Sequence, residues 1–540
     1  MSLVPRNELS EDTKNASEKL SLFMKQPGIS EVLEWTFMYD KQSILDKTPY
    51  NTTFFDVIGG ISYQEWKEQK ITSEQLILGV NSKFTVWIHE LEEIKNTLST
   101  KETTSEKTIL EYEGINFIIV WIQAARSATI IELEKSSKTP ILTPHERQRF
   151  CWEVESGQEK LYGSKISENM EESIMSLDLL CREFSENGEN LTWEQQKRFL
   201  DIYDNLKKKV EECWTGTNLE TPDIHNFHKK PIPQHNFTKE VLEKIKNIKI
   251  PREIYMRLWQ GYIDAMGLHQ KVVSNPNASS IYDGPITLEV PDSSWYDNIS
   301  LKRVLELMVH EIWAHYANQA ISKQNDFSIR WAKNIEKEEG LAIVLEYLLE
   351  GKKLIDIKWP GYAFPYILAG EYLSKDERQD LVDLRLKMDG DKGDEGHRRD
   401  LRVMRGYPLD GPWSQRKDAS YGRGVNKIVD LVTNGKCSLT DFYKGKFSID
   451  DIASWRLDAL ISKEKIVFPL LFPEMLLFMA GVGRQEFTHE RFMTYMQEKY
   501  AGDISEDDLN NIEVIKEFSK IKIFITMWRD IENYLPNPID

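Results

Sequence analysis

The chain has 540 residues, of which 40% are hydrophobic and 11% aromatic, so it can bury a sizeable core and is not a mainly disordered protein. Its 69 Lys and Arg residues face 87 Asp and Glu residues, which gives a formal net charge of −18. This charge disfavours nucleic acid as a partner, because phosphates repel an acidic surface.

The cysteines and the apolar segments favour a cytoplasmic location. The four cysteines are too few for a disulfide framework, and no two of them have the spacing of a CxxC metal site. The first thirty residues contain charges throughout and lack the apolar stretch of a signal peptide. The most apolar window, Ile466–Val482, is interrupted by prolines and is predicted to be a buried helix. We therefore expect a reducing cytoplasm and no membrane partner.

Helical patterns fill residues 1–215, which we predict to be an accessory N-terminal region. Within it, Thr192 and Gln195 have the spacing of a capping box at the start of a helix. Residues 216–237 contain three prolines, which break helices, and are predicted to be a linker. The linker histidines His225, His228 and His235 match no strong metal-site spacing, so a solvated loop is favoured over a metal site there.

Helical patterns resume at Val241–Ile250 and Glu253–Met266. The segment Ile286–Val290 has alternating β-branched residues and lies between turn-forming glycine and proline residues, so it predicts a short strand. We expect this strand to offer an edge to an extended peptide. Helices then dominate again through a C-terminal region, 461–540, expected to pack on the region before it. The predicted fold class is mainly α with a small β-sheet (α+β).

One helical segment, Leu301–Ala320, carries an H-E-x-x-x-H pattern made of His310, Glu311 and His315, and Ser300 is its predicted N-cap. The usual zinc spacing is H-E-x-x-H, which places both imidazoles on one helix face. At about 100° per residue, His315 would lie about 140° around a regular helix from His310. A π-turn between the histidines adds the residue that restores convergence. A shared metal therefore predicts a distorted helix, and the alternative is two unrelated histidines.

A third ligand is expected on the next helix, because catalytic zinc sites take three protein ligands and leave one position open. On spacing alone, Glu338, Glu339 and Glu346 are all candidates. Gly340 would let this helix approach its neighbour closely, and we expect that neighbour to be the histidine helix. The alternative for each glutamate is a solvated charge, which the dipole at a helix N-terminus already favours.

The sequence HEIWAH followed by EEGLA resembles a family of H-E-x-x-x-H metallopeptidases named for its QEGLA motif. The family's R-x-x-R-G segment is matched at Arg402–Gly406, and its K-D-x-x-Y-L-x-G segment is matched at Lys417–Gly424 except that Gly422 replaces the leucine. The resemblance covers residues 285–440. The family includes the microtubule-associated tyrosine carboxypeptidases. It implies His310, His315 and Glu339 as zinc ligands and Glu311 as the catalytic acid/base.

The resemblance implies a zincin-like helical fold and a zinc-dependent metallopeptidase, with residues 238–460 as its catalytic region. A carboxypeptidase that removes C-terminal residues from a peptide or protein is the expected activity. An acidic, tubulin-like tail is one substrate that fits. Two alternatives stay open, a zinc-dependent amidase of a small molecule and a non-catalytic interaction protein that retains the motif.

Further residues have expected roles in this chemistry. Tyr421 or Lys417 could donate a hydrogen bond to the oxyanion that forms when a carbonyl is attacked. Arg398, Arg402 and Arg405 would fall on one face if this stretch is helical, and they could bind a terminal carboxylate through their guanidinium forks. The alternative for these arginines is pairing with the acidic residues nearby in the sequence.

Overall fold

A computed structural model describes most of the chain between residues 11 and 500. The described stretches are 11–24, 72–99, 106–136, 140–217, 220–227, 233–265, 271–276, 281–283, 287–324, 334–357, 363–388, 413–454, 471–483 and 486–500, with a few single positions besides. All four cysteines lie in these stretches and none forms a disulfide.

The described residues are mainly helical, which confirms the predicted α-rich class with a small β part. The helices are α1 Glu11–Phe23, α2 Ser73–Ser99, α3 Glu106–Ser136, α4 Pro144–Tyr162, α5 Met170–Asn187, α6 Trp193–Cys213, α7 Asn236–Ile245, α8 Arg252–Ala265, α9 Leu301–Leu307, α10 Asn318–Gln324, α11 Asn334–Leu349, α12 Phe364–Tyr372, α13 Lys375–Met388, α14 Ala419–Thr433, α15 Ile449–Ala453, α16 Leu471–Val482 and α17 His489–Tyr500. A π-helix, Met308–Ala317, joins α9 to α10.

The chain divides into two compact units. Unit 1 comprises Met1–Lys230, Ser328–Ala332 and Pro360–Gly422, and unit 2 comprises Pro231–Phe327, Lys333–Trp359 and Arg423–Asp540. The chain first passes from one unit to the other at residues 230 and 231, inside the proline-containing segment. Residues 360–422 belong to unit 1, although the sequence analysis grouped them with 238–460.

Unit 1 buries apolar faces of its helices in a shared core. Leu177 of α5, Phe199 and Leu206 of α6, Phe364 of α12 and Leu381 of α13 are fully buried in one cluster. The predicted capping box starts α6: the Thr192 hydroxyl accepts from the Gln195 amide at 3.3 Å, and the Gln195 side chain accepts from the Thr192 amide at 2.9 Å. Local capping and helical periodicity therefore explain how this part of the chain folds.

The helix α3 contains the stretch Thr108–Lys135, which is long and apolar enough to cross a membrane by length and composition. Of its most apolar window, 72% is buried inside the protein. Burial of this kind is what a core helix shows, so the stretch is weak evidence for a membrane span.

Unit 2 contains two small sheets. In one, β1 (Lys249–Pro251) pairs antiparallel with β5 (Asn298–Ser300). In the other, β4 (Thr287–Pro291) lies between β2 (Lys271–Asn275), its parallel partner, and β3 (Tyr282–Asp283), its antiparallel partner. Strand β5 leads directly into α9 and so fixes where the histidine-bearing helix begins.

Two expectations for this region were wrong. The predicted strand starts at Thr287 among the described residues, and it is a central strand, so it offers no free edge to a peptide. The helical pattern over Val241–Ile250 ends at Ile245, and the residues from Lys249 form β1 instead. Pro251 lacks an amide hydrogen and cannot continue a helix, and antiparallel pairing with β5 satisfies the backbone there.

The C-terminal helices α16 and α17 are tied to the end of α11 by a buried polar network. Glu474 of α16 accepts from Lys499 at 2.6 Å, from Tyr500 at 2.5 Å and from Tyr495 at 2.6 Å. Lys499 also donates to the carbonyl of Leu349 at 2.8 Å. Residues 472–479 of α16 are buried, which agrees with the predicted buried helix, and residues 466–470 lie outside the described stretches.

Candidate metal centre

The helix that carries both histidines is distorted where the sequence predicts it. Its α-helical start is capped by Ser300, whose hydroxyl accepts from the Arg303 amide at 3.1 Å. From Met308 to Ala317 the helix is a π-helix, longer than the single turn that the spacing requires. Because π-helical hydrogen bonds join residues five apart, His310 and His315 come to one face.

Three side chains converge at this face. The Oε2 atom of Glu339 lies 3.8 Å from Nε2 of His310 and 3.5 Å from Nε2 of His315. One ligand atom from each residue lies within 4.8 Å of the others, the one such group among the described residues. Ligand atoms bound to zinc at about 2.0–2.1 Å in a tetrahedron are about 3.4 Å apart, so the three atoms are placed to share an ion.

Each histidine has a carboxylate at its other ring nitrogen. Nδ1 of His310 lies 2.9 Å from Oε1 of Glu346, and Nδ1 of His315 lies 3.7 Å from Oε2 of Glu338. Histidines that bind metals commonly donate their second ring N–H to a carboxylate, which fixes the tautomer and the ring orientation. Glu346 and Glu338 therefore lie at the Nδ1 atoms of the histidines, whereas Glu339 lies at the Nε2 atoms and is the third member of the candidate ligand group.

Charges around the centre shift two pKa values. Burial favours the neutral form of His310, but the carboxylates of Glu346 and Glu311 outweigh it and raise the pKa of this imidazole. Burial likewise works to raise the pKa of Glu338, but the ammonium group of Lys446 and the imidazole of His315 lower it to about 2. Glu338 is therefore a buried carboxylate that remains ionised.

A direct backbone contact between α11 and α14 positions Glu339. A Cβ built on Gly340 would lie 2.4 Å from the carbonyl carbon of Gly424, and a Cβ on Gly424 would lie 1.8 Å from the carbonyl oxygen of Glu336. Only two glycines allow this approach. Gly340 faces α14 and not the histidine helix, which is the neighbour that the sequence predicts for it, and α11 packs on the π-helix as well.

Glu311 is partly buried and follows His310 on the π-helix. Burial of Tyr296 raises the pKa of its phenol, and the negative charge of Glu311 raises it further. This phenol therefore lies within electrostatic range of the Glu311 carboxylate. Tyr296 is held in place through its carbonyl, which accepts from the hydroxyl of Tyr255 at 2.8 Å. The sequence gives no signal for Tyr296, because a single tyrosine in a connecting segment forms no pattern with the motif.

The other predicted site residues fall elsewhere. Lys417 and Tyr421 belong to unit 1, whereas the ligand group belongs to unit 2, so their role as oxyanion donors stays a prediction. Arg398, Arg402 and Arg405 lie outside the described residues, and carboxylate binding by them also stays a prediction.

The linker histidines have separate environments. His225 is exposed, and His228 lies outside the described residues. His235 caps α7, where Nδ1 accepts from the Thr238 amide at 3.4 Å.

Comparisons with known proteins found no match among family models, curated proteins or solved structures. The resemblance to the QEGLA-motif family accordingly rests on the motifs alone.

Proposed function

We propose that the chain is a zinc-dependent metallopeptidase with a zincin-like active site, and that it acts as a carboxypeptidase on a peptide or protein. The observation that carries this proposal is the convergence of His310, His315 and Glu339 on one point, made possible by the π-helix. The side chains occur in the order and with the neighbours that the motif family implies.

The donor set suits a catalytic ion. Two neutral imidazoles and one carboxylate leave room for a further ligand, as catalytic zinc sites require. Zinc held there would act as a Lewis acid that polarises a carbonyl and lowers the pKa of water. Support from Glu346 and Glu338 at the outer nitrogens is what a functional metal site needs and what chance proximity of histidines does not explain.

Glu311 is the residue to which we assign proton transfer. It neighbours a ligand in sequence and lies on the same π-helix, and its charge reaches Tyr296. In peptide hydrolysis it would accept the proton of the attacking water and pass it to the leaving amine. Tyr296 joins Tyr421 and Lys417 as a candidate donor to the developing oxyanion.

Substrate selection is the least constrained part of the proposal. A carboxypeptidase must bind a terminal carboxylate, and Arg398, Arg402 and Arg405 supply guanidinium groups suited to it. An acidic tail of the tubulin kind would also be attracted by these arginines. In the cytoplasm, the expected location, C-termini of folded proteins are abundant substrates for such an enzyme.

Metal content tests the ligand group. Full-length protein purified without chelators is expected to contain about one zinc per chain by elemental analysis. His310→Ala and Glu339→Ala are expected to lose the metal, and His225→Ala, an exposed histidine, should keep it. A wild-type chain that binds no zinc, or that selects iron for the same donor set, would refute the proposal.

Hydrolysis tests the reaction. Glu311→Gln should retain zinc and lose activity, because the amide cannot accept the proton. Mass spectrometry of a peptide library should show shortened C-termini with wild type. Cleavage of small amides without cleavage of peptides would instead identify an amidase. Undiminished biological activity of Glu311→Gln would identify an interaction protein.

A further inference from the structure

Behind the metal centre lies a buried lysine that the motif analysis did not single out. Nζ of Lys446 lies 3.4 Å from Oε1 and 3.5 Å from Oε2 of Glu338. Lys446 is 4% exposed and Glu338 is 5% exposed. The Oε2 atom of the same carboxylate also lies 3.7 Å from Nδ1 of His315. A continuous chain thus runs from the ligand histidine through Glu338 to the lysine.

The turn that carries Lys446 is itself fastened to the histidine helix. The amide of Lys446 donates to the hydroxyl of Ser322 on α10 at 2.7 Å. Gly445 adopts φ +107°, a conformation that favours glycine, and its carbonyl accepts from the buried Lys337. Lys337 also donates to Asn318 at 3.0 Å, at the end of the π-helix. The position of Lys446 is therefore fixed by several independent contacts.

A lysine is needed here for an electrostatic reason. Glu338 is next in sequence to Glu339, and Glu346 and Glu311 are close to His310 in the same centre. Repulsion among these carboxylates would turn Glu338 away from the centre unless a cation held it. Buried carboxylates are tolerated when an opposite charge is hydrogen-bonded to them, and Lys446 provides that charge.

We propose that Lys446 is a positioning residue, which holds the Glu338 carboxylate against Nδ1 of His315 and so keeps the Nε2 atom of that histidine directed at the metal. The inference rests on the proposed function, since it assigns a role at the same centre. It adds a residue far away in sequence that controls the affinity and geometry of the metal site without touching the ion. Glu346 lies against Nδ1 of His310, as Glu338 lies against Nδ1 of His315.

The test measures metal binding by the full-length protein with Zn²⁺ alone and Co²⁺ alone as probes. Lys446→Met is expected to weaken zinc binding by about 10–100-fold, the usual cost of losing outer support for a ligand histidine. The visible spectrum of bound Co²⁺ should change, because the orientation of His315 changes. Lys446→Arg should restore part of the affinity, since guanidinium also pairs with a carboxylate.

The matched control is Lys444→Met, which removes a lysine of the same turn that pairs with Asp441 at 3.0 Å. It should leave zinc affinity and the cobalt spectrum unchanged. If Lys446→Met fails to fold, Lys446→Met combined with Glu338→Gln removes both charges of the pair, and this variant should fold yet bind zinc about 10-fold or more weakly.

The outcomes separate the inference from the proposed function. Wild type that binds zinc, with Lys446→Met or the double variant unchanged in affinity and spectrum, would overturn the inference alone. Equal losses for Lys444→Met and Lys446→Met would overturn it too, since they would indicate a general effect of the turn. Wild type that binds no zinc would overturn both.

Discussion

Replacing Gly424 by alanine tests how the third ligand is held in place. A Cβ at this position would lie 1.8 Å from the carbonyl oxygen of Glu336 and 2.9 Å from Cα of Gly340, both backbone atoms of α11. Backbone atoms of a helix cannot turn aside as a side chain can. The two helices would therefore have to separate by more than about 1 Å to restore an ordinary contact of about 3.5 Å.

The expected magnitude is a balance of two opposite effects. In the interior of an exposed helix, Gly→Ala stabilises by about 1 kcal/mol, because alanine loses less conformational entropy on folding. Overpacking of a close contact costs about 1–3 kcal/mol, and a clash with backbone belongs at the upper end. We expect Gly424→Ala to lower the free energy of unfolding by about 2 kcal/mol. Since Glu339 moves with α11, its oxygen should also leave the two histidines, and zinc affinity should fall.

Urea unfolding and zinc competition with a chelating dye measure both effects on the same samples. The control is Asn426→Ala, a partly exposed position on the same helix, which should be neutral or slightly stabilising and should leave zinc affinity unchanged. Gly424→Ala protein that is more stable than wild type and binds zinc equally well would refute the close contact between α11 and α14.

Three further predictions concern stability. Lys499→Met leaves the fully buried Glu474 without its ammonium partner and should lower the free energy of unfolding in urea by about 3–5 kcal/mol. Adding Glu474→Gln should recover most of this loss, and equal losses for the single and the double variant would contradict this account. Thr192→Ala should cost about 1 kcal/mol by removing the N-cap acceptor of α6, and Thr192→Asn should not; a cost for both would argue against the cap. Burial and, secondarily, Lys499 lower the pKa of His235, so its contribution to stability is complete above about pH 6.5 and declines as the pH falls from there towards its folded pKa. His235→Asn keeps a capping acceptor for Thr238 and should flatten that decline between about pH 5 and pH 7, and an unchanged slope would exclude His235 as its source.

Features encoded locally could be predicted from the sequence. The caps at Thr192 and Ser300 depend on residues three apart, and both are present. The distortion of the histidine helix followed from helix geometry, because His310 and His315 cannot share a face of a regular α-helix. Spacing alone could not decide which of Glu338, Glu339 and Glu346 is the third ligand. Spacing along one helix does not reveal which carboxylate oxygen points at the histidines.

Features that depend on long-range packing could not be predicted. Gly340 signals close approach, but only the folded chain identifies Gly424 as its partner. Strand β4 lies in the middle of its sheet because Lys271–Asn275 pairs with one side of it and Tyr282–Asp283 with the other, and the sequence of a strand does not reveal its partners. Lys446 has no motif at all, and its importance arises from burial against Glu338.

The π-helix depends both on local helix geometry and on long-range packing. The π-helix is rare because an uninterrupted α-helix is normally the preferred conformation. Where π-helical turns do occur, they are frequently found at functional sites. Here the distortion extends over Met308–Ala317, and buried contacts hold its far end: Asn318 donates to the carbonyl of Ala314 at 2.8 Å and accepts from Lys337. A conformation that local propensity disfavours persists only where surrounding structure determines it, and such places are commonly functional. The chain maintains this conformation where it brings His310 and His315 to Glu339, which is the strongest physical reason to look for a metal there.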